Sequence, residues 1–271
     1  MLLKPILSFA GSLDFFKVFK KRNDDQLFLP KLQSHRGYCQ MDNNLIAVAQ
    51  IRENTLRSIQ KSFELNYKMA EFDVRLTKDK KVILFHDDVF LNNKKKKKIS
   101  ASFYAEIDGT VQVDLLEDVF KWFQKTKPID FKLNIEIKSK VVSGHLENAT
   151  YVLIKKYNMQ KYILISSFNP ISLAYFNVLD KSIFRSLLLS FERDHGNNIF
   201  IKNMTLNVLA QPNALHLRLD DWNPQKFKKL LLRKIPIILW TCNDLNSVTQ
   251  YINEGVTGII SDKILPADLA E

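Results

Sequence analysis

Short apolar segments alternate with amphipathic segments from residue 31 almost to the end of the chain. The apolar segments have the length of buried strands, and the segments between them repeat apolar residues at helical spacing. The predicted strands cover nine ranges, namely 31–36, 70–75, 82–86, 132–137, 161–166, 184–189, 213–218, 236–241 and 258–261. The predicted helices include 53–66, 115–125, 145–157, 171–178, 224–233 and 244–254.

This alternation predicts an α/β fold whose parallel strands are joined by right-handed helical crossovers. Eight strand–helix units in about 250 residues favour a closed (β/α)₈ barrel of the TIM type over an open doubly wound sheet. Because nine strands are predicted for eight places, one of them is extra. The sequence has no internal repeat and no linker rich in proline, glycine or serine, so we expect one barrel domain over residues 31–271.

The first 30 residues show a different pattern. Apolar residues recur there at helical spacing, at Leu2, Ile6, Phe9, Leu13 and Phe16. Basic residues follow these positions, which predicts an amphipathic helix rather than a signal peptide, whose basic residues would come first. Two roles stay open for this extension over residues 1–30: a helix that closes the bottom of the barrel, or an anchor at a membrane surface.

Composition limits the class of protein and the kind of metal site. The chain of 271 residues is 46% hydrophobic and 25% charged, which is typical of a folded globular protein. Two cysteines and five scattered histidines supply neither a disulfide framework nor a zinc site, so carboxylates must hold any metal. We expect Cys39 and Cys242 to be free thiols in a cytoplasmic protein without a membrane-spanning segment.

The charge balance favours polyanionic partners. Forty lysines and arginines oppose 29 acidic residues, for a formal net charge of +11. Nucleic acid, an anionic membrane surface and a phosphorylated substrate all fit this charge, but no nucleic-acid-binding motif is present. The lysine run over 94–98 predicts a solvated loop, with a contact to a headgroup or polyphosphate as the alternative.

Carboxylates come together near the ends of two predicted strands. Side chains two residues apart in a strand point to the same face about 6.6 Å apart, so Glu71 lies beside Asp73 and Glu136 beside Lys138. Carboxylates held this close need a cation, and oxygen ligands alone suit Mg²⁺ or Ca²⁺. The alternative for the second pair is an internal ion pair between Glu136 and Lys138.

Two histidines at strand ends complete a possible phosphate site. An imidazole titrates near neutral pH, so His35 and His86 could act as base and acid across a phosphoryl group. The alternative is that each is a hydrogen-bonded part of the scaffold. Arg36 and Lys138 add positive charge, and an arginine can hold two phosphate oxygens at once.

The order and spacing of these motifs resemble the glycerophosphodiester phosphodiesterase family. The resemblance runs from residue 31 to residue 264. It rests on nine segments: His35-Arg36-Gly37, Glu53-Asn54-Thr55, Glu71-Phe72-Asp73-Val74, His86-Asp87, Leu116-Glu117-Asp118-Val119, Asn134-Ile135-Glu136-Ile137-Lys138, Ser166-Ser167-Phe168, Leu239-Trp240-Thr241-Cys242-Asn243 and Gly255-Val256-Thr257-Gly258-Ile259-Ile260-Ser261-Asp262.

The resemblance implies a metal-dependent barrel that hydrolyses glycerophosphodiesters to glycerol 3-phosphate and an alcohol. It assigns the divalent cation to three carboxylates, Glu71, Asp73 and Glu136. It makes His35 and His86 the general acid and base, with the phosphate on Arg36 and Lys138. By the same resemblance, Glu53 completes the polar network, and Trp240 lines the glycerol side. The nucleophile stays open between water and the glycerol 2-hydroxyl, which would first form a cyclic phosphate.

The chain departs from the family pattern at the rim of the predicted site. The connection over residues 38–52 is longer than usual, and Arg52 stands where the family commonly has proline. The lysine run replaces the usual residues after His86. We interpret the apolar segment 45–51 as a wall or lid beside the site, or as a helix that packs on the rim.

Two other functions remain open. A lysophospholipase D that acts on lysophospholipids at membranes would suit the basic charge and the apolar extension. A barrel that binds anions or nucleic acid without catalysis is the alternative from another class, but phosphate-backbone binding does not require acids and histidines together. The expected partners are a small glycerophosphodiester and, peripherally, an anionic membrane.

Overall fold

The structure is a computed structural model, and it describes residues 18–20, 29–39, 50–139, 143–192 and 206–269. In these ranges the strands are β1 (Leu32–Ser34), β2 (Met69–Leu76), β3 (Val82–Leu84), β4 (Val89–Asn92), β5 (Lys95–Lys98), β6 (Lys132–Ile137), β7 (Ile163–Ser167), β8 (Phe184–Leu189), β9 (Ala214–Arg218), β10 (Ile237–Trp240) and β11 (Gly258–Ser261). The helices are α1 (Leu56–Glu64), α2 (Tyr104–Val111), α3 (Leu116–Thr126), α4 (His145–Lys156), α5 (Pro170–Leu179), α6 (Asn207–Ala210), α7 (Lys228–Leu232) and α8 (Leu245–Asn253).

Eight parallel strands form a closed barrel, as the sequence predicts. Their order is β1, β11, β10, β9, β8, β7, β6, β2, and the pairing of Ser34 with Ala70 returns from β2 to β1. Parallel neighbours need a crossover between them, and amphipathic helices supply several of these connections. The carboxyl ends of all eight strands therefore meet at one mouth, where barrel enzymes build their sites.

The extra predicted strand is the one at 82–86. It forms β3, which pairs antiparallel with the end of β2 through Val74 and Leu84. The connection over residues 77–81 is a tight turn in which the Thr77 amide donates to the Lys81 carbonyl at 3.0 Å. So short a connection cannot hold the crossover that a parallel strand requires. Strand β3 therefore runs beside the end of β2 and delivers His86 to the mouth.

The lysine run is not the solvated loop that the sequence predicts. It forms β5, which pairs antiparallel with β4 in a separate two-stranded sheet. A small apolar cluster fixes this hairpin and α2 beside the barrel, and it consists of Ile83, Phe90, Ile99, Ile107 and Val113. The lysines are exposed, so only the predicted backbone conformation is wrong.

The two faces of each barrel strand have different surroundings. In β2, Ala70, Phe72 and Val74 belong to the main apolar core between strands and helices. The alternate residues, Glu71 and Asp73, point into the barrel because the side-chain period of a strand is two. The interior of the barrel also holds an apolar cluster below these carboxylates. It consists of Leu164, Phe184, Ala214, Ile238 and Ile260.

Part of the N-terminal segment contacts the end of the barrel opposite the mouth. The Phe19 side chain is buried, and the Lys20 amide donates to the Pro212 carbonyl at 2.8 Å, just before β9 begins. The amphipathic pattern over residues 2–16 and the apolar residues 45–49 lie outside the described residues. Within the described part of the chain, no helix combines the length and apolarity that a bilayer crossing needs.

Candidate active site

Three carboxylates meet inside the mouth of the barrel. Glu71 and Asp73 come from β2 and Glu136 from the neighbouring β6, where Asp73 and Glu136 are directly paired in register. One oxygen from each residue lies within 4.8 Å of the others, and all three residues are at least nine-tenths buried. The sequence places Glu71 beside Asp73 on one strand and Glu136 beside Lys138 on another. The hydrogen bonding of β2 to β6 brings these residues together in one cluster.

Burial and mutual repulsion disturb the ionisation of this cluster. Burial, together with the nearby Asp73 charge, raises the pKa of Glu71. Burial also raises the pKa of Glu136, although Lys138 opposes this effect. Burial acts on Asp73 in the same direction, but Lys138, His86 and Asn54 outweigh it and lower the pKa of Asp73.

The donor set fits a hard divalent cation. Glu53 balances the charge of Arg36, so three ionised carboxylates and the ammonium of Lys138 leave two negative charges in excess, which one divalent ion neutralises. Carboxylate oxygens without thiols or paired imidazoles are the ligands that Mg²⁺ and Ca²⁺ prefer.

Lys138 and Arg36 bring positive charge to the cluster. The Lys138 ammonium lies 2.7 Å from Glu136 Oε1 and 3.2 Å from Asp73 Oδ1, so the predicted ion pair exists within the carboxylate site. The Arg36 guanidinium donates to Glu53 at 2.7 Å, and its Nε lies 3.6 Å from Asp73 Oδ2. Both cations are therefore within reach of an anion bound at the mouth.

The turn after β1 places Arg36 over the carboxylates. The Arg36 amide donates to Glu71 Oε2 at 2.9 Å while its φ is 53°. The next residue, Gly37, has a φ of 71°, and a Cβ there would lie 2.3 Å from Ser58 Oγ. Only glycine avoids both the backbone strain and this clash, so Gly37 keeps the turn tight against α1.

His35 is held at the mouth by a carboxylate from the last strand. Its Nδ1 lies 2.6 Å from Asp262 Oδ1, and Asn243 Nδ2 donates to the other oxygen of Asp262 at 3.0 Å. Burial alone would lower the pKa of His35, but the Asp262 hydrogen bond and the Glu71 charge outweigh it and raise this pKa.

His86 has a local carboxylate partner and a more positive environment. Its Nδ1 lies 2.7 Å from Asp87 Oδ1. Burial and the Lys138 charge nevertheless lower the pKa of His86. The Arg75 guanidinium donates to the carbonyls of His86 at 2.8 Å and Lys138 at 3.2 Å, which ties the end of β3 to the end of β6.

An aromatic pair forms another part of the mouth. The rings of Trp240 and Phe168 pack edge to face with centroids 5.5 Å apart, and the Lys138 ammonium lies 5.9 Å from the Phe168 centroid. The Trp240 indole nitrogen is buried and has no hydrogen-bond partner. Phe168 thus lies between Lys138 and the predicted glycerol side.

A cavity of about 400 Å³ opens beside His86. It lies between the turn after β1 and the segment that contains α2, and its lining includes Arg36, Arg52, Glu53, His86 and Val111. Val111 and Val113 contribute apolar surface to this lining beside its polar groups.

Some functional side chains have no assigned role in the sequence-based prediction. Asn54 exchanges two hydrogen bonds with Asp73, from its Nδ2 to Oδ2 at 2.9 Å and from the Asp73 amide to its Oδ1 at 2.8 Å. Asp262 and Asn243 support His35 as described above. All three lie inside the quoted motifs, so their place in those motifs is the signal that could have identified them. Arg75 and Arg52 carry no such signal.

Comparisons with known proteins agree with this geometry. The model of the Glycerophosphoryl diester phosphodiesterase family matches residues 35–265. The chain is 30% identical over 251 residues to the uncharacterized protein YqiK of Bacillus subtilis (strain 168), covering 86% of this chain and 95% of YqiK. It is 25% identical over 227 residues to a glycerophosphodiester phosphodiesterase of Caldanaerobacter subterraneus, covering 78% and 89% of the two chains.

A human relative and two solved structures extend the comparison. The chain is 23% identical over 290 residues to the lysophospholipase D of Homo sapiens, covering 88% of this chain and 84% of that protein. A Thermotoga maritima glycerophosphodiester phosphodiesterase superposes with a TM-score of 0.63 at 25% identity, covering 88% and 96% of the two chains. An Oleispira antarctica phosphodiesterase in complex with the product sn-glycerol-3-phosphate superposes with a TM-score of 0.68 at 22% identity, covering 86% and 93%.

Proposed function

Because the chain belongs to the glycerophosphoryl diester phosphodiesterase family, we propose that it hydrolyses glycerophosphodiesters to glycerol 3-phosphate and an alcohol. The observation that carries this proposal is the buried cluster of Glu71, Asp73 and Glu136, with the His35 imidazole near Glu71 and the His86 imidazole near Asp73. The product held by the Oleispira antarctica phosphodiesterase supports the same substrate class. The chain is accordingly assigned as a phosphoric diester hydrolase.

We assign the divalent cation to the three carboxylates, as Mg²⁺ or Ca²⁺. When bound, such an ion neutralises charge on the phosphate and polarises its oxygen. The carboxylates must be ionised to act as ligands, so Glu71 and Glu136, with their raised pKa values, release protons as the ion binds. Lys138 and Asn54 keep Asp73 ionised and oriented in its absence.

The phosphate is assigned to Arg36 and Lys138. Both side chains are less than a quarter exposed, so their attraction for an anion is screened less than that of a surface lysine. Glu53 holds the Arg36 guanidinium from the solvent side and limits its rotation. The two cations thus stabilise the additional negative charge that the phosphoryl group develops during substitution.

The opposite pKa shifts of the two histidines divide the acid from the base. His86, whose pKa is lowered, is neutral at physiological pH and accepts the proton of the attacking hydroxyl. His35, whose pKa is raised, holds its proton to higher pH than His86 does and donates it to the leaving alkoxide as the phosphorus–oxygen bond breaks. Each uses Nε2, because Nδ1 is bound to an aspartate. The attacking hydroxyl is either water or the glycerol 2-hydroxyl.

The two sides of the mouth can receive the two ends of the substrate. We assign the glycerol to the side of Trp240, whose ring forms an apolar wall with Phe168. The cavity beside His86 remains for the alcohol, and its volume of about 400 Å³ exceeds what a choline or ethanolamine group fills. The apolar Val111 and Val113 in its lining are the feature that favours a larger, acylated alcohol.

One assay tests this assignment. Release of glycerol 3-phosphate from glycerophosphocholine is measured with Mg²⁺, with Ca²⁺ and with excess EDTA. We expect turnover with at least one ion and none with EDTA, because the carboxylate cluster then repels the phosphate. Turnover that persists in EDTA would contradict the metal site.

Isosteric variants separate the roles. Glu136→Gln should abolish both Mg²⁺ binding, followed by calorimetry, and activity, whereas His35→Gln should lower kcat roughly 10²–10⁴-fold and keep Mg²⁺ binding. Loss of Mg²⁺ binding in His35→Gln would refute the division of roles. Circular dichroism spectra that match the parent protein are the control for folding.

A lysophospholipase D activity is the second candidate, because the human relative carries that name. Lysophosphatidylcholine in the same assay decides between the two substrates. We also propose a cytoplasmic location, supported by free thiols at both described cysteines, Cys39 and Cys242. A peripheral contact with an anionic membrane belongs to the same proposal, and the net charge of +11 supports it.

A further inference from the structure

The hairpin of β4 and β5 is a rigid projection beside the mouth. Its turn residues, Asn93 and Lys94, have φ values of 48° and 64°, as in the tight two-residue turns that match the twist of a hairpin. The Ile99 amide donates to the Asp88 carbonyl at 3.0 Å and closes its base. The hairpin starts three residues after His86, and a four-residue strand extends for roughly 13 Å.

One face of the hairpin fixes it to the protein. Phe90 and Lys97 are paired in register, as are Asn92 and Lys95. Phe90 is 3% exposed and packs in the apolar cluster with α2. Asn92 Nδ2 donates to Glu106 Oε1 at 3.3 Å, and the Lys97 ammonium binds the same carboxylate.

The opposite side, which we call the outer face, carries Val89, Leu91, Lys96 and Lys98. The register places Leu91 directly opposite Lys96 and Val89 opposite Lys98. Leu91 is 59% exposed, and all four lysines of β5 are exposed. Among the residues that the structure describes, Lys97 is the only lysine of the run with an ion-pair partner. The outer face therefore combines a solvent-exposed apolar side chain with ammonium groups that lack a counter-charge.

This combination fits a lipid surface better than a nucleic acid. An anionic bilayer attracts lysines through its headgroups, and its acyl boundary accepts an aliphatic side chain. Binding of single-stranded nucleic acid relies on aromatic side chains or arginines that stack on bases. The exposed side chains of the hairpin include neither, because its one aromatic residue, Phe90, is buried.

We propose that the outer face of the hairpin, together with Lys94 at its turn, docks the mouth of the barrel onto an anionic lipid bilayer. This rests on the membrane contact included in the proposed function and names the element responsible. Docking there brings the substrate entrance beside the membrane. Residues 18–20 lie at the opposite end of the barrel, so an anchor near them would turn the mouth away from the membrane.

The test compares two triple variants of the full chain that remove the same charge. Lys94→Gln, Lys96→Gln and Lys98→Gln change the hairpin. Lys125→Gln, Lys155→Gln and Lys161→Gln change exposed lysines near the opposite end of the barrel. Co-sedimentation is measured with phosphatidylcholine vesicles with and without phosphatidylglycerol, at low and high salt.

The parent protein should bind only the vesicles with phosphatidylglycerol, and added salt should weaken the binding. Each lysine near such a surface contributes about a fivefold gain in partitioning, so the hairpin variant should lose roughly 100-fold. The control variant should change less than about fivefold. Leu91→Ser should weaken binding severalfold with no change in charge, which a purely electrostatic contact would not show.

The outcomes are distinguishable from those that test hydrolysis. Turnover of soluble glycerophosphocholine should be unchanged in the hairpin variant, because none of the three lysines belongs to the carboxylate site. Equal losses in the two triple variants would overturn the docking face but keep a membrane contact. Absence of vesicle binding by the parent protein, or hairpin-dependent binding of single-stranded RNA instead, would overturn both the docking face and the membrane contact.

Discussion

His35 and His86 are each held through Nδ1 by an aspartate, yet their pKa values shift in opposite directions. Burial acts to lower both. Asp262 and Glu71 outweigh burial at His35, whereas Lys138 adds to it at His86. The charges that surround each imidazole, rather than its residue type, therefore set the direction of its pKa shift.

This environment makes a prediction for Asp262. With His86 as base and His35 as acid, activity rises as His86 loses its proton and falls at higher pH as His35 loses its own. Asp262→Asn removes the charge that raises the pKa of His35. The alkaline limb of the kcat profile should therefore move to lower pH, while the acidic limb stays. Steady-state kinetics across pH measure both limbs, and an unmoved alkaline limb would contradict the role of His35.

Helix α2 is an element that the barrel does not require, and Arg52 holds it in place. The Arg52 guanidinium donates to the carbonyls of Val111 at 2.8 Å and Gln112 at 2.9 Å, where the helix ends. These carbonyls lack partners within the helix, and a cation stabilises the negative end of the helix dipole. Arg52 directly precedes Glu53 and Asn54, so the same segment positions α2, Arg36 and Asp73.

Arg52→Ala should widen the cavity beside His86 and loosen its wall. We expect KM for glycerophosphocholine to rise about tenfold. The change in kcat should be smaller, because Arg52 makes no bond to the carboxylate cluster. The cost in stability should be about 0.3–1 kcal/mol, as for the loss of an exposed cation at the C-terminal end of a helix. Arg52→Lys should restore only part of the effect, since lysine cannot bind both carbonyls as a fork. A fall in kcat with an unchanged KM would contradict the role of Arg52 and α2 as a wall of the substrate cavity.

The whole molecule has a functional end and a stabilising end. The mouth carries the carboxylate cluster, the histidines and the hairpin. At the opposite end, the Phe19 side chain is 1% exposed and its carbonyl accepts from Arg233 at 2.8 Å. Asn213 donates to the Lys20 carbonyl at 2.9 Å, so residues 18–20 join the segments that lead into β9 and β10. These contacts belong to residues 18–20 alone, because the helix predicted over the residues before them lies outside the described residues.

Phe19→Ala should destabilise the protein without changing the site. Loss of a fully buried phenylalanine costs about 3–5 kcal/mol, which lowers the unfolding midpoint by roughly 6–20 °C in a domain of this size. Val178→Ala, at a side chain that is 83% exposed, is the control and should change stability by less than about 0.5 kcal/mol. Thermal unfolding followed by circular dichroism measures both. Equal midpoints for the two variants would show that residues 18–20 do not stabilise the barrel.

The sequence predicts best those elements whose formation depends on residues close together in the chain. Helix α3 at Leu116–Thr126 and helix α4 at His145–Lys156 agree closely with the predicted ranges, because a local apolar stripe determines each. Helix α7 is shorter than predicted, spanning Lys228–Leu232 within 224–233. Helix α2 is absent from the predicted helices, since contacts with Arg52 and with a small apolar cluster that includes Ile83 and Phe90 hold it in place. The one-domain division at residue 31 stays a prediction.

By itself the sequence determined the alternation of strands and helices. It also placed Glu71 and Asp73, and likewise Glu136 and Lys138, on the same face of a strand, and it indicated the protein family. These depend on side-chain periodicity and on short motifs, which act within a few residues. Only the tertiary structure decided the direction of β3, the hairpin formed by the lysines, and the partners of His35 and Arg52. The contact between His35 and Asp262 joins residues 227 positions apart. The contact forms because the barrel closes and brings the first and last strands together. A pattern that spans a few residues cannot predict it.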